Sequence, residues 1–176
     1  MVDITKLLFL ALTATATMLR RDAAAVEVDI NQKIGPQTTT LTSDVDGFPA
    51  SGVSGVVAIH ADMQALTSTV RDATNDVKSS GSFSEADGTT ILADVQAYVS
   101  TFLGTLSAIG AQAPAWSALP GGEALVLSDL QSLNASFIDF TNALIEASPT
   151  DLVPSATSDQ IKLVGGFNSA IAEYSS

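Results

Sequence analysis

The chain contains no cysteine and only one histidine, His60. The first absence excludes disulfides, thiolate zinc sites, iron–sulfur clusters and a cysteine nucleophile. The second excludes a multi-histidine metal centre. Positive charge is also scarce: Lys and Arg number 7 against 19 Asp and Glu, a formal net charge of −12 at pH 7. So acidic a chain has no electrostatic route to a phosphate backbone, which removes nucleic acid as a partner. Anionic membrane surfaces are disfavoured for the same reason. No G-x-S-x-G elbow, Walker loop or dinucleotide fingerprint occurs, so no cofactor is expected. Asp44-Val45-Asp46-Gly47 and Glu85-Ala86-Asp87-Gly88 lack the ligand spacing of a twelve-residue calcium loop, and no metal is expected. Aromatics make up 6% of the chain.

What is present is aliphatic. Of 176 residues, 46% are hydrophobic and mean hydropathy is +0.32, enough to bury one domain's core. Residues 7–14, Leu-Leu-Phe-Leu-Ala-Leu-Thr-Ala, fall short of the roughly 20 apolar residues that span a bilayer. They follow Lys6 and precede Ala14-Thr15-Ala16, an A-x-A cleavage pattern, and together read as a secretory signal. Arg20-Arg21 then marks a second, dibasic processing step. The expected division is therefore 1–21 as signal plus short pro-segment and 22–176 as a single helical domain. The alternative is that 1–21 form the first turns of a core helix. No apolar tail follows Ala172-Glu173-Tyr174-Ser175-Ser176, so a lipid anchor and stable membrane insertion are not expected.

Apolar residues recur at spacings of three and four in five stretches, and no stretch alternates as a strand does. The first carries Val26, Ile30, Ile34, Leu41 and Val45, with Gly35-Pro36 predicting a kink or break. The second carries Val56, Ile59, Met63, Leu66, Val70, Ala73 and Val77, and Ser79-Ser80-Gly81 stops it. The third opens on Ser84 as N-cap and carries Ile91, Val95, Val99, Phe102, Leu106 and Ile109, with Leu92, Tyr98 and Leu103 widening the face. Residues 113–122 read as a loop holding the single tryptophan, Trp116. The fourth helix carries Val126, Leu130, Leu133, Phe137, Thr141 and Leu144. The fifth spans about 157–174, with Ile161, Val164, Phe167, Ile171 and Tyr174 inward. The expected fold class is all-α: an antiparallel five-helix bundle.

Chemistry is thin. His60 sits at the edge of an apolar face without a motif around it, and no catalytic residue is expected, so the chain reads as no enzyme. Small residues at Ala73, Gly88, Thr141 and Ala170 on the inward faces allow two outcomes. The helices close tightly, or the bundle keeps a lined central apolar cavity. A sixteen-carbon acyl chain buried there gains on the order of 10 kcal/mol, at roughly 0.8 kcal/mol per methylene, before association costs. The candidate lining is Ile59, Met63, Leu66, Val70, Ile91, Val95, Val99, Phe102, Leu106, Leu130, Phe137, Thr141, Val164, Phe167 and Ile171. Asn134 and Thr141 are the polar candidates for a headgroup, set against an intrahelical bond for Thr141 and surface exposure for Asn134. Asn134-Ala135-Ser136 is also an N-glycosylation sequon.

Val45-Asp46-Gly47-Phe48-Pro49, the Ala58-Ile59-His60 helix start, Phe83-Ser84-Glu85-Ala86-Asp87-Gly88 and Phe167-Asn168-Ser169-Ala170-Ile171-Ala172-Glu173-Tyr174 together carry a resemblance. The chain resembles the fungal hydrophobic surface-binding protein A family, which includes the cell-wall galactomannoproteins. The resemblance implies a secreted, extracellular and non-enzymatic bundle that holds a fatty acid or other lipid between its helices. It equally implies two alternatives: adsorption to hydrophobic surfaces with recruitment of a secreted hydrolase, or a ligand-free structural mannoprotein of the cell wall. Some relatives act as lipid-capturing virulence factors. For the adsorbing alternative, exposed Trp116 and Leu119 would be the working parts, unless Trp116 plugs the end of the bundle.

Overall fold

The structure is a computed structural model and describes residues 23–175; the proposed signal and pro-segment lie outside the described residues. Residues 23–28 are helical and run into a π-helical segment, Asp29–Ile34, and then α1, Gly35–Gly47. There follow α2 (Gly52–Ser80), α3 (Glu85–Ala111), the short α4 (Ala113–Ser117), α5 (Gly122–Ala147) and α6 (Val153–Ala172). Five long helices thus form the expected bundle, and a five-residue helix stands where the sequence predicted a loop.

The π-helical segment explains how a helix passes Gly35-Pro36 without breaking. Pro36 brings no N–H, and its ring crowds the carbonyl one turn earlier. The chain answers by widening: the Gly35 N–H bonds the Ile30 carbonyl, five residues back. The same widening suits the hydrophobic spacing. Steps of four drift about 40° per turn on an ordinary helix at 100° per residue. A wider turn keeps Val26, Ile30 and Ile34 on one line, and all three are buried.

Helix ends follow the local chemistry. Gly81, at φ 70°, turns the chain out of α2 in a conformation other residues avoid. Ser84 caps α3, accepting the Asp87 backbone N–H at 3.2 Å, with Glu85 and Asp87 in the positive first turn. Pro154 sits in the first turn of α6, where its missing N–H costs no hydrogen bond, so this helix starts earlier than expected.

The five long helices alternate in direction along the chain, yet much of the packing pairs helices that run the same way. His60 meets Asp129 and Arg71 meets Ser136, so α2 and α5 run parallel. Gly88 packs on Pro149 just before α6, while Gly110 packs on Ala170 near its end, so α3 and α6 run parallel too. Small residues make these approaches possible. A Cβ on Gly88 would lie 2.9 Å from Pro149 Cδ and 3.0 Å from Leu152 Cδ1. The expected role of small inward residues is therefore realised as close approach, not as a wide chamber.

The predicted inward faces of the first four stretches are buried, apart from half-buried Val56 and the half-buried Leu92, Tyr98 and Leu103 that widen the third. The last helix needs correction. Ile161 is 67% exposed, and Val164 and Ile171 are half-buried. The buried line is instead Ala156, Asp159, Leu163, Phe167, Ala170 and Tyr174.

Candidate functional site between α3 and α5

α3 and α5 lie across the bundle from one another, bridged by side chains. The bridge is aromatic. Tyr98 and Phe102 of α3 stack toward Phe137 of α5, with ring centroids 5.9 and 4.9 Å away, and Phe167 of α6 meets Phe102 at 5.5 Å and Phe137 at 5.8 Å. Because these rings span the gap, space is left beside them. One void of about 20 Å³ is lined by Gly88, Ile91, Leu92, Val95, Thr141, Leu144, Ser148, Ala156 and Asp159. A second, of about 10 Å³, is lined by Ile30, Ile34, Val95, Tyr98, Phe137, Phe140, Thr141 and Leu163. Val95 and Thr141 belong to both.

The expected central cavity therefore takes the form of two small voids. Neither has room for an acyl chain as it stands; a chain needs the helices to part. Ile91, Val95, Phe137 and Thr141 from the candidate lining border these voids. Ile59, Met63, Leu66, Val70, Val99, Phe102, Leu106, Leu130 and Phe167 are packed in the surrounding core and border neither, as do half-buried Val164 and Ile171. Ile30, Ile34, Phe140, Leu163 and Asp159 border the voids without having been expected there. Leu163 and Asp159 share a cause: a carboxylate in the buried line of α6 disguises the stripe, so the neighbouring aliphatic phase looks better.

Few polar atoms reach this region. Thr141 donates to the Phe137 carbonyl at 2.8 Å, the expected intrahelical bond, and accepts the Gln160 amide at 2.9 Å. Asp159 is 2% exposed; one carboxylate oxygen accepts Lys162 Nζ at 2.9 Å and the other, Oδ2, has no hydrogen-bond partner. Asn134 sits apart from both voids, half-buried, with its Oδ1 unpartnered. On the other side of the second void, the Tyr98 hydroxyl is buried and faces the Thr38 hydroxyl without a hydrogen bond of normal geometry. Burial pushes that phenol well above its usual range, so it remains a proton donor.

The lone histidine is a structural pair. His60 Nδ1 meets Asp129 Oδ2 at 2.7 Å, and Gln64 Nε2 occupies the position beside His60 Nε2 at 3.1 Å, where a nucleophile would have to stand. Burial raises the Asp129 carboxyl, and His60 acts in the opposite sense. Trp116 is 1% exposed and stacks on Phe48 at 4.6 Å, so it plugs the bundle end, and Leu119 beside it is half-buried. Trp116 is thereby removed as a surface-adsorbing residue. Among the described residues no group of three or more His, Asp or Glu is arranged to hold a metal, and no helix is long and apolar enough to cross a membrane.

A small helical bundle whose internal space is apolar, and lies between helices propped apart by aromatic rings, has the build of an interhelical ligand-binding protein. The chain belongs to the hydrophobic surface binding protein A family, whose sequence profile matches residues 23–146. The solved structure of Afmp4p in complex with palmitic acid is similar: 28% identity, a TM-score of 0.73, and coverage of 92% of this chain and 99% of that one. Ligand binding domain 1 of the Penicillium marneffei MP1 protein, complexed with arachidonic acids, shares the fold at 13% identity and a TM-score of 0.79, covering 88% of this chain and 99% of that one. Its domain 2, complexed with multiple arachidonic acids, does so at 14% identity and 0.77, covering 86% and 96%. A comparison with curated protein sequences finds no match.

Proposed function

We propose that this protein is an extracellular, non-enzymatic carrier that holds one long-chain fatty acid between its helices. The observation that carries the reading is the pair of small, mostly apolar voids that share Val95 and Thr141, between helices bridged by side chains. It is supported by the likeness, over nearly the whole chain, to a protein solved with palmitic acid. The acyl chain enters as the rings of the aromatic bridge move apart, and Ile91, Val95, Phe137 and Thr141 become its walls. The remaining candidate lining forms the shell behind them. Burial of methylenes at roughly 0.8 kcal/mol each supplies the affinity, so no cationic clamp is needed in a chain so poor in Lys and Arg. Secretion places the domain from residue 22 onward outside the cell, after removal of residues 1–21.

The test is direct. Protein purified from its secreting host is analysed by native mass spectrometry, delipidated and titrated with palmitate. One fatty acid per chain and saturable uptake are expected. Absence of both would end the carrier reading.

One observation favours surface adsorption as a second activity. Val53 and Val57, one turn apart on α2, are 70% and 62% exposed. If this face adsorbs, Val53→Ser with Val57→Ser lowers retention on a wax or polyester film and leaves palmitate uptake unchanged.

A further inference from the structure

An open groove of about 340 Å³ runs beside the π-helical segment, between it, α1 and α3. Its polar rim includes Asn31, Thr39 and Thr101, and its floor is Ile30, Thr38 and Tyr98. Ile30 and Tyr98 also border the about 10 Å³ void on the inner side. That void in turn shares Val95 and Thr141 with the about 20 Å³ void. Groove, void and void thus follow one another along α3, sharing Ile30 and Tyr98 at the first junction and Val95 and Thr141 at the second. From Thr101 to Gly88 along α3 the line is about 20 Å long at 1.5 Å per residue. An acyl chain in one bilayer leaflet spans about 15 Å, half the hydrocarbon core.

The two ends of the line differ chemically. The inner end holds Asp159, whose Oδ2 is buried and unpartnered. A second carboxylate brought there would leave water and meet another acceptor, because the nearby cation, Lys162, is already engaged with Asp159 Oδ1. The groove end holds the Tyr98 hydroxyl, buried beside the Thr38 hydroxyl without a hydrogen bond of normal geometry, a donor that a better acceptor can claim. Asp94 in the groove is already occupied by the Asn31 amide at 2.7 Å. The wall opposite α3 is the π-helical turn, a distortion often found at functional sites. The seam is fastened by polar pairs that water can replace: Asn31 with Asp94, and Thr42 with Thr105 at 2.6 Å.

We propose that a long-chain fatty acid enters tail-first through this groove, that Tyr98 is the gate it displaces, and that the Tyr98 hydroxyl then donates to the ligand carboxylate, which stays at the groove end. The inference rests on the carrier reading and adds to it a portal, an orientation and a headgroup residue.

The cysteine-free chain allows a clean test. Thr42 and Thr105 touch across the seam, so Thr42→Cys with Thr105→Cys forms a reversible lock on α1 and α3. Gly110→Cys with Ala170→Cys, whose Cβ atoms would lie 4.0 Å apart, locks α3 to α6 instead. Both are confirmed oxidised by intact mass, and palmitate uptake is followed by stopped flow. The first lock should slow uptake at least about tenfold, with reductant restoring it, while the second leaves it unchanged. Tyr98→Phe keeps the ring stack and removes the donor. It should weaken palmitate about tenfold, the value of one hydrogen bond to a charged group, and leave methyl palmitate nearly unaffected. Undiminished uptake through the oxidised first lock, or equal losses for acid and ester in Tyr98→Phe, overturns the proposal. If the wild-type protein takes up no palmitate, the carrier reading itself has failed, which the locks cannot mimic because their reduced forms serve as controls.

Discussion

Val95 is the most informative position to perturb, because it borders both voids and stands where an acyl chain must pass from one to the other. Val95→Phe puts a ring into that passage. The two voids, about 20 and 10 Å³, absorb only part of the added volume, so overpacking costs about 1–3 kcal/mol of stability. The fold survives such a loss in a domain of ordinary stability. Binding suffers more. Stopping the chain at Val95 leaves its inner half unburied, about six methylenes at roughly 0.8 kcal/mol each, or about 5 kcal/mol. Since about 1.4 kcal/mol is a factor of ten, even half that loss weakens palmitate by close to a hundredfold. Isothermal titration with delipidated protein measures the affinity, and a thermal melt confirms folding. A folded Val95→Phe protein that binds palmitate within about threefold of wild type would refute the placement of the ligand between α3 and α5.

Four further outcomes follow from the packing and the charges. Burial first, and then the Asp44 carboxylate, push Asp62 up to about 6 from an ordinary 3.8, so its protonated form favours the fold below pH 3.8 and that contribution is lost as pH rises through about 6. Asp62→Asn should therefore raise the melting temperature at pH 7 and leave it unchanged near pH 3; half exposure and solvent screening limit the gain to about 1 kcal/mol or less, and an equal effect at both pH values would contradict the assignment. Gly88→Ala should destabilise, because the new Cβ meets the rigid Pro149 ring at 2.9 Å, whereas Gly166→Ala should cost less, because the atoms it meets are the rotatable ends of Leu103 and Leu106; matching melting temperatures would refute the distinction. His60→Ala should lower stability by about 1–3 kcal/mol by leaving Asp129 without its partner, with palmitate affinity unchanged; any hydrolytic activity abolished by it would reopen the question of catalysis. Trp116→Ser should cost several kcal/mol, about 3–5 as for large buried aromatics, without altering adsorption to a polyester film.

Much of this architecture was legible in the sequence because long amphipathic helices declare themselves by period. The faces of α2, α3 and α5 were readable because each carries one continuous, almost wholly apolar stripe between clear stops such as Gly81 and Ser84. α6 was misread in phase because its buried line includes Asp159, and a carboxylate hidden by Lys162 looks like a surface residue until the fold is known. The π-helical segment was foreshadowed by steps of four at Val26, Ile30 and Ile34, although Pro36 suggested a break. The site was less legible. Single-helix periodicity says which residues point inward, but not which helices face each other. The parallel pairing of α3 with α6 and of α2 with α5 sets α3 across from α5 and decides that Val95 and Thr141, not Met63 or Val70, border the voids. In the sequence Tyr98 is only a residue that widens a face; its buried hydroxyl, poorly satisfied beside Thr38, is a property of the assembled bundle.

The central claim is that the interior of this bundle opens to receive an acyl chain. A crystal structure of the delipidated protein saturated with palmitate tests it most directly. The account predicts the chain lying between α3 and α5, in contact with Val95 and Thr141, with the Phe102–Phe137 rings moved apart from their 4.9 Å separation and the carboxylate beside Tyr98. Palmitate found only on the outer surface, with those rings still in contact, would contradict it.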